Sequence, residues 1–175
     1  MDFTFSRRSV FFLGRWIKLS AEEVCFGSQA SSKLGNVTYQ NNCRKEIFIS
    51  CVKLVYKSSK FYCGSHLAPT NPKWGCSNLN NGYVNVVMSD LRKRIVFPKT
   101  RLVKYDGTDY GYALWYFLPG FSKTSNTISW CDFASPLCLI SGQKLHLAHG
   151  EDIKGHFLTH NEGKLCVDVY GYSIY

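Results

Sequence analysis

Residues 45–56 read Lys45-Glu46-Ile47-Phe48-Ile49-Ser50-Cys51-Val52-Lys53-Leu54-Val55-Tyr56. Six of these twelve are β-branched or aromatic residues, and such side chains suit a pleated surface. On a strand, Ile47, Ile49 and Cys51 share one face, and Phe48, Val52, Leu54 and Tyr56 share the other. Both faces are partly apolar, as in a strand inside a sandwich. The stretch therefore predicts a central strand, and the rest of the chain follows its lead.

Downstream, Asn81-Gly82 is a tight-turn signal ahead of a strand at 83–88. Arg94 to Phe97 is a short strand stopped by Pro98, which suits a sheet edge. Residues 102–105 and 113–118 read as two strands around Asp106-Gly107, and Pro119-Gly120 closes the second. Residues 145–148 and 165–172 supply two more. In the last, Val167 and Val169 face one way, and Cys166, Asp168 and Tyr170 the other. Turn signals recur about every 8–12 residues, the spacing of a β-sandwich or jelly roll. The expected fold is all-β and antiparallel, with little helix. Residues 1–23 read as a leader or flexible arm, and 24–175 as one domain. Ser20-Ala21-Glu22-Glu23 fits a capping box with room for only a turn or two of helix before Gly27. Residues 27–44 read as a polar loop, and 64–76 as a long surface loop.

The 175 residues include twelve Phe, eleven Tyr and four Trp. Alanine is scarce, which agrees with a β class. No stretch approaches the roughly 18 apolar residues of a membrane-spanning helix. Eight cysteines, Cys25, Cys43, Cys51, Cys63, Cys76, Cys131, Cys138 and Cys166, are irregularly spaced with no CxxC. An even count in a loop-rich chain implies disulfides and an oxidising compartment, hence a secreted, extracellular protein. Proximity pairs Cys131 with Cys138 and Cys63 with Cys76, and a Cys25–Cys166 staple would join the chain's two ends. Arg7-Arg8 followed by Val10 to Leu13 begins like an export signal, but Arg15 and Lys18 interrupt the apolar run. Asn36-Val37-Thr38 is a glycosylation sequon at Asn36.

Charge is uneven. Residues 1–104 hold 17 Lys/Arg against 5 Asp/Glu, a net +12, and residues 105–175 hold 4 against 7, a net −3. The densest basic patch is Arg92, Lys93, Arg94, Lys99, Arg101 and Lys104, with Phe97 and Tyr105 among them. Such a patch suits an anionic extracellular polymer, a sulfated glycan or an acidic matrix protein. Lys and Arg on an edge strand also prevent edge-to-edge pairing. Nucleic acid is disfavoured in an oxidising compartment.

His146, His149, His156 and His160 cluster near Glu151, Asp152 and Glu162, residue types that bind zinc. They do not spell HExxH, and on a strand His146 and His149 point to opposite faces. Solvated or hydrogen-bonded histidines are the simpler reading, with no metal. Asp106-Gly107-Thr108-Asp109 reads as a turn rather than a calcium loop. The chain contains neither a GxSxG nor a phosphate-binding loop, and no Cys-His nucleophile pair is recognisable. The expectation is a non-enzyme without a cofactor.

Residues 131–171 carry a further signal. They contain Cys131-Asp132-Phe133, Pro136, Cys138, Gly142-Gln143-Lys144-Leu145-His146-Leu147, Gly150-Glu151-Asp152 and Asn161-Glu162-Gly163-Lys164-Leu165-Cys166-Val167-Asp168-Val169-Tyr170. This resembles a cysteine-containing module of secreted marine-invertebrate proteins, such as coral skeletal organic matrix proteins. That pattern prefers an aromatic before Gly150 and an acidic residue before Asn161, where this chain has His149 and His160. The resemblance implies an extracellular, non-enzymatic module. The readings from other classes are a cationic membrane-active defence protein and a secreted zinc hydrolase.

Overall fold

The computed structural model describes residues 14–27, 34–40, 46–59, 62–63, 73–75, 82–103, 105–106, 114–150, 153 and 161–174. The strands are β1 (Gly14–Lys18), β2 (Val24–Gly27), β3 (Gly35–Thr38), β4 (Ile47–Ser59), β5 (Tyr62–Cys63), β6 (Tyr83–Val84), β7 (Val86–Ser89) and β8 (Ile95–Phe97). They continue with β9 (Tyr105–Asp106), β10 (Trp115–Phe117), β11 (Thr127–Cys131), β12 (Leu137–Leu139), β13 (Lys144–His149), β14 (Asn161–Glu162) and β15 (Lys164–Ile174). The fold is the antiparallel, disulfide-stapled β architecture that the sequence predicts.

Two long strands organise it. The antiparallel pair β4 and β15 forms the middle of a six-stranded sheet, and each carries two short strands on its other side. β1 and β2 both pair with β15, and β11 and β12 both pair with β4. Each edge is thus a broken strand. The break at residues 19–23 explains why the capping box makes no helix. Both flanking strands are tied to β15, and five residues only bridge them. The Ser20 hydroxyl donates to the Glu22 carbonyl at 2.8 Å instead of accepting from an amide. Within the stretch read as a leader or arm, residues 14–18 are sheet, and Leu19 behind them is buried.

A second sheet has the order β3-β13-β7-β8. β3 lies inside the stretch read as a polar loop, and its Val37 is buried in the core. The expected strand at 83–88 is two strands. Asn85 breaks it by donating its amide to the Trp74 carbonyl and accepting from Gly150. β6 then pairs with β10, whereas β7 joins the second sheet. β8 is an edge, as Pro98 implies. Residues 100–103 form turns, and β9, Tyr105–Asp106, pairs with β10 beside β6.

The core lies between the sheets. Val52, Leu54, Ile128, Trp130, Val167 and Val169 come from the first, and Val37, Val86, Met88, Phe97, Leu145 and Leu147 from the second. β2 touches both β3 and β13, closing one side. Removing one such side chain from water is worth about 1.5–3 kcal/mol. Ile49 joins Val52 and Leu54 in the core, against the alternation read from sequence. A register shift between Tyr172 and Ser173 on β15 passes over Ser50, so the face changes there. Polar tips inside are satisfied in series: Trp130 Nε1 donates to Tyr116 Oη at 3.0 Å, and Tyr116 Oη donates to the Val86 carbonyl at 2.6 Å.

Two disulfides staple the first sheet. Cys25–Cys166 ties β2 to β15, and Cys51–Cys131 ties β4 to β11, each between register partners. The end-to-end staple holds as read. The Cys131–Cys138 pairing does not. Cys131 faces Cys51 across a ladder, while Cys138 opposes Phe48 on β12 as an exposed thiol. Proximity along the chain misled because strand pairing brings residue 51 to residue 131. Cys43, Cys76 and the Cys63 side chain lie outside the described residues, and so does the Cys63–Cys76 pairing.

Candidate polyanion-binding surface

The basic patch centres on the β7–β8 turn, and Asp90 shapes it. Its Oδ1 accepts from the Arg92 and Arg94 amides at 2.8 and 2.9 Å, and its Oδ2 from Arg94 Nε at 2.7 Å. Desolvation pushes the Asp90 carboxyl upward, but these bonds outweigh it and hold the group below its ordinary range. Lys93 takes a positive φ of 60° to complete the turn. Leu91, Arg92, Lys93 and Arg94 are all exposed.

The six basic residues do not act alike. Asp90 neutralises Arg94. Arg101 pairs with the buried carboxylate of Asp132, which also accepts from the Ala134 and Ser135 amides. That arginine anchors the turn after β11. Lys99 is half-buried, with its ammonium 5.8 Å over the Phe97 ring. Among the described residues, Arg92 and Lys93 are the exposed members of the patch without a carboxylate within ion-pair distance. Lys104 lies outside the described residues.

Beside this turn runs a row of polar side chains. Asn36 on β3, His146 on β13 and Ser89 on β7 are register partners. Asn36 is exposed, so the sequon's acceptor faces solvent. His146 Nδ1 and Ser89 Oγ are buried atoms without a protein partner. Desolvation lowers the His146 pKa, with Asp90 opposing and Lys93 assisting.

His149, three residues along β13, faces the other way. It is 1% exposed, its Nδ1 bonds Asn85 Oδ1 at 2.9 Å, and Phe26 packs on its ring. Burial pushes its pKa down to about 3. His146 and His149 therefore share no ligand position. His156, His160, Thr108 and Asp109 lie outside the described residues. Among the described residues, Glu23, Cys25 and Cys166 group like metal ligands, but the two sulfurs are joined in a disulfide and are not thiolates.

Sequence reading missed a second exposed group, on the outer face of the six-stranded sheet. Trp16 on β1 and Tyr172 on β15 are register partners with rings 5.4 Å apart, and Phe133 lies 6.2 Å from Tyr172. Lys53 Nζ sits 4.4 Å above Trp16 and 5.2 Å from Tyr170. Assigning residues 1–23 to an arm hid Trp16. The alternation of Trp16 and Lys18 is the signal that could have placed it.

No helix among the described residues is long and apolar enough to cross a membrane. The geometry defines a disulfide-stapled antiparallel β-sandwich with a basic turn and an aromatic outer face. No protein-family model and no curated protein matches the chain. Among solved structures, it is similar to AJLec from the sea anemone Anthopleura japonica, with a TM-score of 0.79 and 27% identity. The match covers 91% of this chain and 97% of that one. It bears out a marine-invertebrate resemblance and does not extend to coral matrix proteins.

Proposed function

We propose that the chain is a secreted, non-enzymatic carbohydrate-binding module whose ligands are anionic extracellular glycans or matrix polymers. The observation that carries this reading is the likeness to lectin-like AJLec over nearly the full length of both chains. A lectin holds sugar without transforming it, which accords with the missing nucleophile motifs. The disulfides Cys25–Cys166 and Cys51–Cys131 accord with an extracellular location. The anionic preference rests on the net charge of +9 and on Arg92 and Lys93, with Arg94, Lys99, Arg101 and Lys104 completing the patch. Asn36, which is exposed, and the partly buried His146 beside it supply neighbouring polar groups for sugar hydroxyls. An organic-matrix component, cross-linking acidic polymers outside the cell, is the role this chemistry serves.

Exposed charges separated by more than about 10 Å are screened at 0.1 M salt, so binding should weaken steeply as salt rises. On a heparin column the full chain should elute at a salt concentration well above that of a Cys-matched Arg92→Ser/Lys93→Ser variant. Equal elution of the two would remove the turn from the reading. Failure of both to bind at low salt would remove the anionic preference.

A further inference from the structure

We propose that the outer face of the six-stranded sheet is a second ligand surface, which takes an acidic pyranose sugar with its ring against Trp16, Tyr172 and Phe133 and its carboxylate or sulfate on Lys53. This goes beyond the β7–β8 turn and rests on the carbohydrate reading above only for the sugar itself.

Trp16 is 40% exposed and Phe133 49%, a large aromatic area to leave in water. Isolated exposed apolar residues are ordinary, but contiguous ones mark interaction sites. Here they are contiguous, linked through Tyr172 at 5.4 and 6.2 Å. They also stand on paired strands: Trp16 opposes Tyr172, and Tyr170 opposes Lys53. The ladder sets Trp16, Tyr172, Tyr170 and Lys53, and Phe133 joins them from the turn after β11.

Charge selects the occupant. Lys18 and Lys57 share Asp168, at 2.9 and 3.5 Å. The Asp168 carboxyl is held below its ordinary range, first by its hydrogen bond from Lys18. Lys53 has no carboxylate within ion-pair distance among the described residues, and its ammonium rests between two rings. Three lysines against one aspartate leave the face positive. A second copy of this chain would set that surplus against itself. An acidic sugar offers an anion to the ammonium and a C–H face to the rings, so it answers both features together.

The full chain, labelled with 15N-tryptophan, tests this. The Trp16 indole signal, assigned with Trp16→Phe, is followed while chondroitin sulfate hexasaccharide or the neutral N-acetylchitohexaose is added. A saturable shift with the acidic sugar alone is expected. Lys53→Gln should weaken that shift's apparent affinity by about fivefold, the scale of one cation contact. Arg92→Ser/Lys93→Ser should leave it in place. A silent Trp16, an equal response to the neutral sugar, or a shift with protein concentration alone would each overturn the inference. Loss of heparin retention in the turn variant beside a silent Trp16 would leave the turn standing alone. A Trp16 shift with unaltered heparin retention in the turn variant would do the reverse.

Discussion

Replacing Cys25 and Cys166 together by alanine should cost about 5 kcal/mol of unfolding free energy. The bond closes a sequence separation of 141 residues, and loop-closure entropy in the unfolded chain then gives that magnitude. Its position adds to the effect. The short strand β2 pairs with β15 and touches β3 and β13, so its detachment opens the side of the core at Val24 and Phe26. The Cys51–Cys131 bond, with a separation of 80, should be worth about 4.5 kcal/mol by the same argument. Urea unfolding of each double variant, under conditions that keep the other bridge oxidised, reads both values. A loss below about 1 kcal/mol for Cys25/Cys166 would mean that β2 is held by packing alone. Cys138→Ala, which touches neither bridge, should change little.

Lowering the pH from about 6.5 to 4.5 should remove roughly 2–3 kcal/mol of stability, and His149 should be the main cause. The folded protein keeps this histidine neutral until about pH 3, while the unfolded chain protonates it near 6.5. Between those values the unfolded state holds the extra proton. Stability therefore rises with pH across the window and falls as acid is added. His146, also depressed, acts in the same direction. Asp90 and Asp168 belong to a lower window. Their folded pKa values lie below the ordinary 3.8, so their contribution is present above that value and lost as pH falls below it. His149→Gln retains an amide for Asn85 and should flatten most of the slope between pH 6.5 and 4.5. An unchanged slope, measured by chemical unfolding at several pH values, would assign the acid sensitivity to other groups.

How much of this was legible depended on the range of the interaction. The apolar stretch at 45–56 and the valines of 165–172 mark the two longest strands, because central strands need apolar residues on both faces. Their partners were harder to read. Thr127–Cys131 and Leu137–Leu139 are short, and their pairing with β4 is set by a turn that Asp132 caps. The same long-range pairing decided the sulfur chemistry. Cys131 lies seven positions from Cys138 in sequence but opposite Cys51 in space. For the candidate site, charge counting found Arg92 and Lys93. It could not tell them from Arg94 and Arg101, whose charges Asp90 and Asp132 neutralise. Those pairings are tertiary facts. The Asn36–His146–Ser89 row was equally hidden, since strand register alone aligns residues more than fifty positions apart.

The most direct test of the central claim is calorimetric titration of the full chain with a size-defined heparin oligosaccharide at several salt concentrations. Anionic glycan binding predicts saturable association that weakens strongly with salt, with no sugar product released during incubation. An affinity indifferent to salt, no association at low salt, or cleavage of the oligosaccharide would contradict it.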